Sequence, residues 1–141
     1  TWTARLVLLP GIGEVLFGLL GQGPMLKAMA KDMYDPNLVE HFLERFKPQM
    51  KFIGFKRALL STMRRGMLGD YSELYRRVGK KAPLVMLVWG RNDQTIPFAH
   101  SQYVVDAIPG IHFFPVADAG HIAHYEQPEL VNNRIVGFLS T

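Results

Sequence analysis

Two short apolar runs, each closed by a loop that carries an ionisable side chain, leave this sequence few ways to fold. Leu84 to Trp89 follows Pro83 and stops at Gly90, and Ile111 to Val116 follows Pro109-Gly110. Neither alternates cleanly between apolar and polar residues, the pattern of strands covered by helices on both faces of a parallel sheet. A third run, Arg5 to Leu9, ends at Pro10-Gly11. Between the two later runs, Phe98, Tyr103, Val104 and Ala107 predict an amphipathic helix from Pro97 to Ile108. A last helix is expected from near Pro128, with Val131, Ile135 and Phe138 on one face and Leu139 beside them. Residues 83–141 thus read strand, loop, helix, strand, loop, helix, and parallel strands with helical crossovers are the economical arrangement.

Residues 11–80 carry no strand signal. Met25, Met29 and Met33 sit four apart, and Asp35-Pro36 places a capping side chain before a proline at the first helical position. Val39, Phe42, Leu43 and Phe46 then share a face. A further helix is expected from about Gln49 to Met63. Another follows through Leu74 to Val78, with Asp70 and Glu73 at capping-box spacing before it. Six of the seven methionines fall in this helical stretch, where a flexible thioether packs irregular core space or lines a pocket for an apolar ligand.

With 141 residues and 48% apolar residues the chain has the length and composition of one globular unit. It has no cysteine, which removes disulfides, thiolate metal sites and a cysteine nucleophile together. No apolar run approaches the roughly 18 residues of a membrane span. The net charge is +4, and seven cations from Arg45 to Arg65 are interrupted by no acid. Such a stretch serves either as a solvated helix face or as a surface for phosphate or anionic lipid. No zinc pattern, RNA-binding aromatic signature or Gly-rich phosphate loop accompanies it, so no nucleic-acid partner, metal or cofactor is expected.

The chemistry is expected in the two loops that follow the strands, Gly90-Arg91-Asn92-Asp93-Gln94-Thr95 and Ala117-Asp118-Ala119-Gly120-His121. Neighbouring parallel strands lie about 4.8 Å apart, so their C-terminal loops open on one edge, where open α/β sheets hold ligands. There Asp93 and His121 can meet. A carboxylate on one ring nitrogen fixes the tautomer, stabilises the imidazolium, and leaves the other nitrogen to act as a base. Gly120 permits a tight turn before the histidine. Other readings stay open: Asn92-Asp93 as a turn former, Asp118 as a loop-shaping residue or rival partner, and His124 as half of an HxxH metal pair. Trp89 and Phe98, flanking the Asp loop, are expected in the core rather than in a substrate wall.

Residues 84–139, through LVMLVWGRNDQTIP and AGHIAHYEQPELVNNRIVGFL, resemble the C-terminal part of an α/β-hydrolase. The shared pattern is an apolar strand, Trp-Gly, two residues, Asp and a nearby Pro, then Gly-His and a Glu-x-Pro-Glu helix start. The resemblance implies that Asp93 is the triad acid and His121 the triad base. It also implies a partial α/β-hydrolase fold with three parallel strands, flanking helices and an inserted all-helical cap. Residues 1–10 would be strand six of the core, 11–82 the cap and 83–141 the C-terminal part of the core.

The family's nucleophile elbow, G-x-S-x-G, is absent; Ser61, Ser72, Ser101 and Ser140 lie in no such setting. The 141 residues alone are therefore expected to be inactive, with the nucleophile outside them. As an enzyme, the resemblance implies a capped serine hydrolase, esterase- or lipase-like, for a small apolar ester or acyl substrate. Dehalogenation, epoxide opening and C–C cleavage use the same frame. As a binding module, a non-catalytic hydrolase half would meet a protein or an anionic surface through Arg45–Arg65. The open sheet edge is expected to pair with the N-terminal half of the same hydrolase, or with another copy.

Overall fold

A computed structural model describes residues 9–19, 22–67, 69–81 and 84–140. The strand expected within 1–10 lies almost wholly outside them. The elements in chain order are α1 (Ile12–Leu19), α2 (Gly23–Lys31), α3 (Pro36–Phe46), α4 (Phe55–Arg64), α5 (Ser72–Lys81), β1 (Met86–Gly90), α6 (Ser101–Ala107), β2 (His112–Val116), α7 (Ala123–Glu126) and α8 (Pro128–Leu139). The chain divides into two compact units: residues 1–29 with 40–69, and residues 30–39 with 70–141.

The second unit holds the sheet. β1 and β2 pair in parallel, from Met86 against His112 to Gly90 against Val116. Both strands and the helix between them follow the apolar pattern, although β1 starts two residues later than its run. The expected Pro97–Ile108 helix opens as a 3₁₀ turn, Phe98–His100, and continues as α6. Its buried side is Ser101, Val104 and Ile108, whereas Tyr103 stands in solvent with its ring 5.7 Å from that of His100. Gly79 lets α5 approach closely, because a Cβ there would lie 2.9 Å from the Ala107 carbonyl oxygen. The core is small: Val116, Ala119, Ala123 and Val131 are buried together, with Val88 and Phe114 packed against them.

In the first unit α1 and α4 are joined by Arg64, whose two terminal nitrogens reach the Glu14 carboxylate at 2.6 and 2.9 Å. Arg64 thus meets an acid from outside the cationic run. The bond to Arg64, with backbone N–H groups assisting, holds the Glu14 carboxyl down from the usual 4.5 to about 2. The helix expected over 49–63 is broken. A 3₁₀ turn, Lys47–Lys51, starts with Pro48 near its head and ends at Phe52, and α4 begins only after Gly54. Gly54 sits at φ +89°, a left-handed conformation that ends one helix and starts the next. In the second unit, Asp35 caps α3 as expected, accepting the Asn37 N–H at 2.8 Å. Asp70 accepts the Ser72 N–H at 2.9 Å at the head of α5, and Ser72 lowers the Asp70 pKa. Glu73 meets Arg76 at 3.4 Å.

Candidate functional site

The site forms where β1 and β2 end. The two loops are fastened to each other by main-chain bonds, Arg91 N–H to the Val116 oxygen at 2.9 Å and Asn92 N–H to the Ala119 oxygen at 3.0 Å. This fastening requires Gly90, since a Cβ there would overlap the carbonyl oxygens of Ala119 and Gly120. The loops bring Asp93 to His121 across 28 positions of sequence, with Asp93 Oδ2 2.9 Å from His121 Nδ1. The other oxygen, Oδ1, accepts N–H bonds from Thr95 at 2.9 Å and Ile96 at 2.8 Å. Asp93 is therefore both the turn former and the histidine's partner, and the two readings of it coexist.

Burial divides the pair. The Asp93 side chain is 4% exposed and that of His121 35%. A carboxylate held out of water by three partners, beside a ring that reaches solvent, suits a fixed orienting acid and a working base. With Nδ1–H donating to Asp93, the lone pair lies on Nε2. A cleft of about 480 Å³ opens beside the ring, bordered by Trp89, Ile96, His124 and Ile135 among others. Trp89 thus faces the cleft and donates its indole N–H to the Ile96 oxygen at 3.2 Å. Phe98 instead stacks on Phe113, with centroids 6.0 Å apart. Asp118 is exposed at φ +51°, and its carbonyl accepts from Gln127 at 3.2 Å, so it shapes the loop. Among the described residues no group of three metal-ligating side chains gathers, at His124 or elsewhere. No helix among them is long and apolar enough to cross a membrane.

Three contributors were not read from the sequence. The His121 backbone N–H donates to the Asp32 oxygen at 2.7 Å, and the Thr95 hydroxyl donates to the Asp32 carboxylate. Glu126, on α7, accepts from Gly120 N–H at 2.6 Å through one oxygen. Through the other it accepts from Tyr34 N–H at 2.6 Å and Asp35 N–H at 2.9 Å. Gly120 is needed here for room, since a Cβ would lie 2.5 Å from the Asp32 oxygen. Local signals marked only Asp35-Pro36 and Glu126-Gln-Pro-Glu129, each as a helix start. Nothing at a separation of about ninety residues links the segments.

No family model matches the chain. A curated relative, the 2-hydroxy-6-oxononadienedioate/2-hydroxy-6-oxononatrienedioate hydrolase of Klebsiella pneumoniae subsp. pneumoniae, is 30% identical over 64 residues, 45% of this chain and 22% of that protein. Among solved structures, the meta-cleavage product hydrolase CumD of Pseudomonas fluorescens IP01 superposes with a TM-score of 0.68 at 22% identity, over 85% of this chain and 46% of that one. The 2-hydroxy-6-oxo-6-phenylhexa-2,4-dienoate hydrolase BphD of Rhodococcus sp. strain RHA1 gives 0.66 at 16% identity, over 86% and 45%. The chain spans less than half the length of these structures. With the parallel strand pair and the loops at its C-terminal edge, the likeness makes this chain a partial α/β-hydrolase fold.

Proposed function

We propose that this chain supplies the acid and base of a hydrolase triad, with His121 as general base and Asp93 orienting it. The observation that carries the reading is the 2.9 Å contact between Asp93 Oδ2 and His121 Nδ1, with the second carboxylate oxygen already tied to the Asp loop. In the reaction a serine hydroxyl from outside these 141 residues attacks the substrate carbonyl. His121 Nε2 takes its proton and returns it to the leaving group, then takes a proton from the water that cleaves the acyl-serine and returns it to the serine oxygen, while Asp93 stabilises the imidazolium. Since the curated relative and both superposed structures are named as hydrolases of 2-hydroxy-6-oxo dienoates or meta-cleavage products, C–C cleavage beside a ketone is preferred over ester hydrolysis. The mainly apolar cleft beside His121 suits such a substrate.

The test uses the full polypeptide or complex that brings a serine nucleophile to this chain. A serine-directed phosphonate is expected to label it, and His121→Ala to lower both labelling and dienoate turnover about ten-thousand-fold. Unchanged labelling in His121→Ala overturns the base assignment. Absence of label, together with salt-sensitive binding to acidic vesicles, supports instead a non-catalytic module. That second reading is favoured by one observation: between Lys51 and Lys56, Ile53 stands fully in solvent and Phe52 is about two-thirds exposed.

A further inference from the structure

Glu126 is 7% exposed and lies on the four-residue helix α7, five positions after the histidine. It has no counter-cation among the bonds described for it. Its charge is met by three backbone N–H groups, those of Gly120, Tyr34 and Asp35, at 2.6, 2.6 and 2.9 Å. Charge-assisted bonds to a buried carboxylate are among the stronger ones a protein makes, and removing the acceptor strands its donors. The donors come from two segments about ninety residues apart. One is the residue immediately before His121. The other is the stretch that also takes the His121 N–H on the Asp32 oxygen and the Thr95 hydroxyl on the Asp32 carboxylate.

A closed circuit results. From His121 it runs through Asp93 to Thr95, from Thr95 to Asp32, and from Asp32 back to the His121 main chain. Glu126 clamps both sides of that circuit on the His121 side, whereas the Asp93 side is held by the Asp loop's own turn. We infer that Glu126 is a positioning residue for His121, fixing the Gly120–His121 backbone against residues 32–35 so that the ring meets Asp93. The bonds described for its carboxylate all come from main-chain N–H groups, so it acts through the backbone. The inference rests on His121 being the base.

The experiment compares wild type with Glu126→Gln, which keeps the side chain's size and loses its charge and one acceptor oxygen. Amide hydrogen exchange is read at Gly120, His121, Tyr34 and Asp35, with Leu87 and Phe113 as sheet references. Exchange at the four is expected to accelerate at least about tenfold while the references stay within about twofold. In the nucleophile-bearing protein, kcat is expected to fall about tenfold or more with KM changed less than about threefold, and Glu126→Asp to restore part of the loss. Unchanged exchange at the four amides overturns the clamp, and loosened amides with unchanged kcat overturn the positioning role. Should Glu126→Gln not fold, the wild-type chain suffices: the Gly120, Tyr34 and Asp35 amides must exchange through one common opening, and independent exchange overturns the inference. His121→Ala separates the two claims, since retained activity there removes the base whatever the amides do.

Discussion

Gly120 acts by being small. Its neighbour His121 donates to the Asp32 oxygen, and a side chain at 120 would push that same oxygen away from 2.5 Å. Gly120→Ala is therefore expected to destabilise the second unit by about 1–3 kcal/mol, as overpacking against backbone does. Denaturant titration checks this, and faster exchange of the His121 N–H, which donates to the Asp32 oxygen, should accompany it. An Ala variant as stable as wild type would mean that residues 32–35 can move aside freely. The sequence marked this glycine for a different reason, the freedom of a tight turn. Its φ is unremarkable, and the left-handed position in the loop belongs to Asp118 at +51°. A two-residue motif shows that a histidine will be aimed. It does not show what the backbone is pressed against, because that surface comes from the far end of the chain.

Strands and capped helices were legible because their signals are local. Gly90 and Pro109-Gly110 end and begin apolar runs, and Pro128 opens α8 where its missing N–H costs nothing. The helix expected over 49–63 breaks because the backbone turns left-handed at Gly54, although the apolar spacing continues across Phe52-Ile53-Gly54. The α1–α4 contact was not legible, since Glu14 and Arg64 lie fifty residues apart. Its pH dependence follows from the Glu14 carboxyl, depressed from 4.5 to about 2 chiefly by the Arg64 bond. A carboxyl with a depressed folded pKa binds fewer protons folded than unfolded, so it stabilises above the unfolded value. The contribution should be full above about pH 4.5 and decline as pH falls toward 2. Glu14→Gln is expected to flatten that slope of first-unit stability in acid titrations. The pair is exposed, so added salt should weaken it in wild type only.

Before their buried last residues, Gly90 and Val116, both strands of the sheet are half-buried, apart from His112, which is exposed. Parallel sheets are stable when helices or further strands cover them on both faces, and a two-stranded one is marginal by itself. Among the described residues nine apolar side chains are buried, against eighteen large hydrophobic ones that stand exposed. Leu130, Ile135, Val136 and Leu139 put four of these on α8 alone. A surface of that kind associates. The 141-residue chain is therefore expected to sediment at micromolar concentration as two or more copies, or with a companion polypeptide that intact mass would reveal. A single sharp species of 16.0 kDa, soluble and without a companion, would contradict this. It would also mean that the small core of Val116, Ala119, Ala123 and Val131 holds the His121 loop in place unaided. Replacing Val136 and Leu139 on the exposed side of α8 by Lys should shift such an association toward the monomer if α8 is part of the contact. The 2.9 Å Asp93–His121 bond should survive that change, because neither residue packs in the core beneath it.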